Sequence, residues 1–118
     1  MLNQSFALDR AFQALADPTR RAIVERLSVH PSSVRDLARP FSMSLPAVMQ
    51  HLAMLERAGL VISEKIGRSR ICRIEPKALR LAEQWIHARR TEWEERLDRL
   101  DDYLVGLRKK EGDDDSQT

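Results

Sequence analysis

The sequence lacks the cysteines of a disulfide framework and the long apolar runs of a membrane span. It has one cysteine, Cys72, in 118 residues, which excludes an internal disulfide framework and favours a cytoplasmic setting. No apolar run approaches the roughly 18 residues of a membrane span. The first ten residues, MLNQSFALDR, lack the basic and apolar segments of a secretory signal. We therefore expect a cytoplasmic protein with no membrane partner.

Residue groupings typical of enzymes and metal sites are also missing. The sequence has no nucleophile elbow, no phosphate-binding glycine loop, and no spaced set of His, Cys and acidic residues. The three histidines, His30, His51 and His87, are too far apart to form a ligand pair within one element. We expect no catalytic residue, no cofactor and no bound metal.

Charge is distributed unevenly along the chain. The net charge is +2, but four acids and no base follow Lys110, so residues 1–110 hold 20 basic and 14 acidic side chains and a net charge of +6. We expect residues 1–110 to form one domain and residues 111–118 to be a disordered acidic tail. A basic body is compatible with nucleic acid binding, although ordinary surface charge explains it equally well.

Capping residues and prolines predict four helices in the first half of the chain. Apolar spacing predicts the first helix over residues 5–16, and Asp17 followed by Pro18 is typical of the start of a second. Ser32 or Ser33 can cap a third, short helix. The fourth begins near Ser44, where Pro46 in the first turn breaks no intrahelical hydrogen bond. Its predicted buried face is Val48, Leu52 and Leu55.

The opposite face of the fourth helix has the composition of a contact surface. It begins with small residues and a glutamine, whereas a helix face that only meets solvent favours Glu and Lys. Gln50 can make a bidentate contact to an adenine edge. Met49 and His51 are predicted at the borders of the buried face. The predicted outward residues are Pro46, Ala47, Gln50, Ala53, Met54 and Arg57.

The segments LVISEKI and SRICRI are rich in β-branched residues and predict a hairpin around Gly67. Arg68 and Arg70 are two residues apart and so point to one face, where they can neutralise phosphates or enter a minor groove. Plain surface charge is the alternative. Cys72 on the second strand is predicted to be a small buried hydrophobe, with a redox switch as the minority interpretation.

A long helix is predicted at about residues 76–108, with apolar residues every seven positions. Residues 79–107 would span about 43 Å at 1.5 Å per residue, which exceeds the width of the remaining globule. One subunit therefore cannot cover the stripe, and a homodimer with paired terminal helices resolves this. The predicted dimer interface is Phe6, Phe12, Leu79, Trp85, Ile86, Trp93, Leu97, Leu100 and Leu104.

Together these elements predict a mainly α fold with a small β-hairpin, a winged helix-turn-helix with a long C-terminal dimerisation helix. In such motifs the second helix enters the major groove of DNA. Three segments carry a family resemblance: ALADPTRRAIVERL, SVRDLARPFSMSLPAVMQHLAMLERAGLV and KIGRSRICRI.

From about Phe6 to Glu75 the chain resembles the ArsR/SmtB family of bacterial winged-helix transcriptional regulators. The resemblance implies a homodimeric repressor that binds a palindromic operator in double-stranded DNA and releases it on a signal. It also implies that the front of the fourth helix and the wing touch DNA. With Ser33 at the third helix added, the expected DNA-binding residues are Ser33, Ser44, Pro46, Ala47, Gln50, His51, Arg68 and Arg70.

The sequence departs from the family pattern in ways that bear on function. Met49 and Gln50 replace the serine and arginine that many members carry before the His-Leu pair, which implies a different base preference or fewer phosphate contacts. Ser33 and Arg35 stand where metal-sensing members carry a Cys-x-Cys pair. The terminal helix also lacks the paired Asp/His ligands of other sensors. The resemblance therefore implies a member that does not respond to metal.

Several interpretations stay open at this point. The protein is either a repressor of its own or an adjacent operon, a dimerising interaction module that has lost DNA binding, or a metal-responsive repressor with unrecognised ligands. For His51 the options are a contact to the DNA backbone, a local structural hydrogen bond or, with least support, a metal or catalytic role. The inducer is unknown.

Overall fold

The computed structural model of the protein describes the backbone of residues 2–116 and the side chains of residues 6–112. It confirms the predicted fold class, since a mostly helical chain carries a small antiparallel sheet and a long C-terminal helix. The elements in chain order are α1 (Leu2–Leu15), α2 (Pro18–Val29), β1 (Ser32–Ser33), α3 (Val34–Ala38), α4 (Leu45–Arg57), β2 (Val61–Ile66), β3 (Ser69–Ile74) and α5 (Pro76–Ser116).

The chain divides into two compact units, the first ending at Glu83 and the second beginning at Gln84. The core of the first unit is apolar and draws on α1 to α4 and on the sheet. The predicted buried face of α4 is confirmed, because Val48, Leu52 and Leu55 are at most 4% exposed. The core residues are Ala14, Ile23, Val24, Leu27, Val34, Leu37, Val48, Leu52, Leu55, Ala58, Leu60, Val61 and Cys72.

Cys72 is fully buried in this core. Burial raises the pKa of the Cys72 thiol, so the thiol stays protonated at neutral pH and is a poor nucleophile. The prediction of a small buried hydrophobe is therefore confirmed.

Side-chain caps begin three of the helices where the sequence predicts them. The Asp17 carboxylate accepts from the Arg20 amide at 3.0 Å at the start of α2. The Ser44 hydroxyl accepts from the Ala47 amide at 3.3 Å at the start of α4. Ser33 caps α3 in the same way. These caps satisfy amides that have no partner within their helices.

The end of α4 turns the chain directly into the sheet. Gly59 has a φ of +75° and donates its amide to the Glu56 carbonyl, while Leu60 donates to the Leu55 carbonyl at 2.9 Å. This pair of bonds is a Schellman motif, which favours glycine at the left-handed position. Leu60 is fully buried, so the turn fixes the direction in which β2 leaves α4.

The sheet has one strand more than the predicted hairpin. β2 and β3 pair as predicted, from Val61 opposite Ile74 to Ile66 opposite Ser69, with Gly67 at a φ of +62° in the two-residue turn. The two residues of β1 add to the other edge of β3. So short a strand has no periodicity that a sequence pattern could reveal.

α5 continues further than predicted. It is helical to Ser116, past the expected end at about residue 108, so residues 111–116 are helical where a disordered tail was expected; residues 117 and 118 lie outside the described part of the chain. Residues 108–111 have the sequence RKKE, and such straight-chain residues favour a helix once it has begun, whereas nothing in the structure explains the helical backbone of Gly112 and the three aspartates that follow it. None of the helices within residues 2–116 is long and apolar enough to cross a membrane.

Candidate nucleic-acid interface

α3, the following turn and α4 form the helix-turn-helix, and the front of α4 is its exposed part. With its buried face fixed in the core, α4 presents Pro46, Met49 and Gln50 to solvent. Met49 is 47% exposed, so the predicted border position is wrong for this residue and it belongs to the outward face. Ala47 and Ala53 are only half-buried. The exposed front therefore combines an amide side chain with apolar ones.

The hairpin of β2 and β3 stands beside this front and forms a groove with it. The groove has a volume of about 480 Å³. Its walls come from the start of α3, the front of α4 and the tip of the hairpin, and they are both apolar and basic. The lining residues are Ser33, Val34, Arg35, Leu45, Met49, Arg68, Ser69 and Arg70.

The three arginines of the groove differ in their hydrogen-bond partners. Arg35 and Arg68 are exposed, and neither makes a hydrogen bond or ion pair with a described residue. Arg70 donates from Nη1 to the Ser63 hydroxyl at 3.2 Å, and that hydroxyl donates to the Glu56 carboxylate on α4. Arg70 therefore ties the wing to α4, while Arg35 and Arg68 are free to bind an external anion.

His51 has partners within its own subunit. Its Nδ1 lies 3.3 Å from Nη1 of Arg20 and 3.7 Å from Oδ2 of Asp17, and the side chain is 21% exposed. Arginine donates only, so a neutral ring that accepts from Arg20 uses a lone pair on Nδ1, whereas a protonated ring donates from Nδ1 to the Asp17 carboxylate. The geometry matches the local hydrogen bond that the sequence left open as one of three interpretations.

Arg20 anchors this cluster to the end of α1. Its Nε donates to the Ala14 carbonyl at 2.7 Å and its Nη2 to the Gln13 carbonyl at 3.2 Å. These carbonyls belong to the last turn of α1, where helix carbonyls lack partners within the helix. One guanidinium therefore joins α1, α2 and α4. The Asp17 cap can be predicted from the sequence, but the contact of Arg20 with a histidine 31 positions later cannot.

The remaining residues that the sequence predicts at DNA fall into two groups, surface residues and helix caps. Gln50, Pro46 and Arg68 are exposed, and Arg68 and Arg70 line the groove. The hydroxyls of Ser33 and Ser44 accept from backbone amides as helix caps, so their first role is structural. Leu45 and Arg35 line the groove without having been predicted as site residues. Leu45 is the first residue of α4, and this position at the front of the helix is the sequence feature that could have predicted it as a site residue.

The second unit presents a separate apolar surface along α5. Trp85, Ile86, Trp93, Leu97, Leu100 and Leu104, which the sequence predicts at a dimer interface, are each between 43% and 60% exposed. The Arg89 guanidinium lies 5.3 Å from the centre of the Trp85 ring. In the first unit, Phe6 is exposed and Phe12 half-buried, whereas Leu79 packs against the core of its own subunit.

Among the described residues, no group of three or more His, Cys, Asp and Glu side chains is arranged to hold a metal ion. The groove is lined by arginines, serines and apolar side chains. A helix-turn-helix with an exposed second helix beside a basic hairpin defines the class: a winged helix-turn-helix DNA-binding transcriptional regulator.

Comparison with known proteins identifies the family. Residues 17–63 match the family model described as bacterial regulatory protein, arsR family. The HTH-type transcriptional regulator Rv2034 of Mycobacterium tuberculosis is 52% identical over 71 residues, which make up 60% of this chain and 66% of that relative. The chain belongs to the ArsR family, whose members are transcriptional regulators and not enzymes.

Two solved structures support the same assignment. The crystal structure of the ArsR family transcriptional regulator RHA00566 is 44% identical with a TM-score of 0.72, over 76% of this chain and 93% of that chain. The homodimeric winged helix-turn-helix DNA-binding domain of Mb0332 from Mycobacterium bovis, solved in solution, is 25% identical with a TM-score of 0.59, over 80% and 85%. The predicted family, fold and regulator class are confirmed.

We expect an Asp17→Asn variant to reveal how the cluster around Arg20 is stabilised. Asparagine keeps a capping oxygen but removes the charge. The hydrogen bond from the Arg20 amide, followed by the charges of His51 and Arg20, lowers the pKa of Asp17 despite some desolvation. Because the folded pKa lies below the unfolded one, the stabilisation is present above the unfolded value, about 3.9, and is lost as pH falls through the folded value.

Thermal melts of both proteins from pH 7 to pH 3 measure this effect. The variant should melt below the wild type at pH 7, and the two melting temperatures should converge below about pH 4. A difference that is the same at pH 7 and pH 3 would contradict a role for the Asp17 charge.

Proposed function

We propose that the protein is a homodimeric repressor that binds a palindromic operator of its own or an adjacent operon in the cytoplasm, without responding to metal. The observation that carries this proposal is the groove between α4 and the wing. Arg35 and Arg68 line it without a hydrogen bond or ion pair to a described residue, Leu45 at the start of α4 lines it as well, and Gln50 is exposed next to the lining residue Met49.

Each part of this surface fits a feature of B-form DNA. The front of α4 is slim enough for a major groove about 12 Å wide, where Gln50 can bond the N6 and N7 atoms of adenine. Arg68 at the tip of the hairpin is free to bind a phosphate or enter the minor groove. His51 contacts Arg20 and Asp17 through Nδ1, so Nε2 is the ring nitrogen that we assign to the DNA backbone.

Repression by occupying a promoter requires only a DNA-binding surface and a dimerisation surface. We assign the first role to the groove beside α4 and the second to the apolar stripe on α5. Metal independence is supported by the roles of Ser33 and Arg35, which stand where metal sensors carry cysteines. Ser33 caps α3 and Arg35 lines the basic groove, so neither is a soft metal ligand.

The homodimer is supported by the apolar stripe on α5 and by the homodimeric state named for Mb0332. Trp93 and Leu100 are 60% and 51% exposed in the single chain, and contiguous apolar surface of this kind usually marks a contact with another protein. A two-fold dimer would place two α4 helices about 34 Å apart, one turn of DNA.

We expect Arg68→Ala and Gln50→Ala to weaken DNA binding in different ways. Loss of Arg68 from both protomers removes about two phosphate contacts, so affinity should fall for every duplex and the slope of log K against log salt should flatten by about 2. Loss of Gln50 should leave that slope unchanged but cost roughly 1–3 kcal/mol of discrimination per half-site. Fluorescence anisotropy with operator and scrambled duplexes, in buffer containing a chelator, measures both quantities.

The control for this experiment is Arg26→Ala, which removes an exposed arginine of α2 that does not line the groove. It should leave affinity and salt slope within experimental error of the wild type. Wild-type protein that binds no promoter duplex at low salt would contradict the proposal and favour an interaction module.

We expect Leu97→Glu to produce a monomer in sedimentation experiments at micromolar concentration, where the wild type should be a dimer. The carboxylate would be buried without a partner between two apolar stripes. Arg99→Glu introduces the same side chain roughly 120° away from the centre of the stripe and should remain dimeric. A monomeric wild type, or a dimeric Leu97→Glu variant, would contradict this interface.

A further inference from the structure

Two large apolar side chains are exposed at the front of α4, where the proposed function places DNA. Leu45 is 41% and Met49 is 47% exposed, and both line the groove beside the wing. They are four residues apart on one helix and so are neighbours on its surface. Phosphate binding requires no apolar side chains, so this exposed apolar area indicates contact with an apolar group.

The surroundings of Leu45 and Met49 indicate what covers them. Arg35, Arg68 and Arg70 share the groove, so its occupant carries negative charge as well as apolar groups. The major groove of DNA offers one apolar group, the C5-methyl of thymine, and it lies between rows of phosphates. An acidic peptide with apolar side chains is the other occupant with such chemistry, but Gln50 beside Met49 favours DNA, because glutamine pairs with adenine.

We infer that Met49, supported by Leu45, packs against thymine methyl groups and that the operator half-site contains adjacent A·T base pairs. Gln50 binds an adenine there, and Met49 covers the methyl of a neighbouring or paired thymine. This inference rests on the proposed function and adds the base composition that the site selects. Met49 thereby acts as a specificity-determining residue.

The test removes only the methyl group from the DNA. A half-site is first selected from a random duplex library with the wild-type protein, and each thymine in it is then replaced by deoxyuridine. Burying a methyl group is worth about a fourfold change in affinity. The wild-type Kd should therefore rise about fourfold at the thymine that Met49 contacts, whereas Met49→Ala should bind the thymine and uracil duplexes within about 1.5-fold of each other.

Met54→Ala is the matched control. Met54 is also exposed on α4, at 38%, but it lines a different groove with Arg10 and Arg57. This variant should keep the full difference between thymine and uracil. Circular dichroism melts of all variants check that each is folded.

Two results would overturn the inference while leaving the proposed function intact. One is a wild-type protein that binds thymine and uracil duplexes equally at every position. The other is a Met49→Ala variant that keeps the wild-type difference. Failure of the wild-type protein to bind any duplex at low salt would overturn both, and binding of acidic peptides in its place would identify the other occupant.

Discussion

The burial of one face of α4 is the constraint on which the DNA-facing surface depends. Val48, Leu52 and Leu55 are held in the core with almost no exposure, and together they fix the rotation of α4 about its own axis. That rotation decides which residues remain outside. Met49 and Gln50 are exposed because their neighbours on the helix are buried. A rotation of about half a turn would exchange the outward face with the core face, so the packing of these three side chains also decides which residues are available for recognition.

Rotation alone does not fix the position of α4, and polar contacts supply the rest. Arg20 joins the end of α1 to His51 in the middle of α4, while Arg70 joins the wing to α4 through Ser63 and Glu56. Each link uses a charged group, and such hydrogen bonds are stronger than neutral ones. A helix and wing that are already held in a fixed geometry lose less conformational entropy when they bind a partner. Arg68 has no such link to a described residue, which suits the phosphate contact proposed for it.

Most of the architecture follows from local sequence rules, whereas the contacts between elements do not. Asp17, Ser33 and Ser44 are recognisable as caps because capping involves residues only three positions apart. The buried stripe of α4 follows from helical periodicity. The link from Arg20 to His51 depends on how separate helices pack, and the groove that Met49 lines depends on how the hairpin packs beside α4. Neither leaves a periodic signal. The helical backbone of residues 112–116 could not be predicted, because a glycine followed by three aspartates is a poor helix former and is typical of a solvated tail.

We propose that the front of α4 and the tip of the wing form the surface that meets DNA. An NMR titration of the ¹⁵N-labelled protein with an operator duplex tests this proposal most directly. We expect the largest amide shift changes in residues 44–51 and 65–70, with small changes along residues 84–107. Large changes confined to residues 84–107, with the front of α4 unaffected, would contradict it.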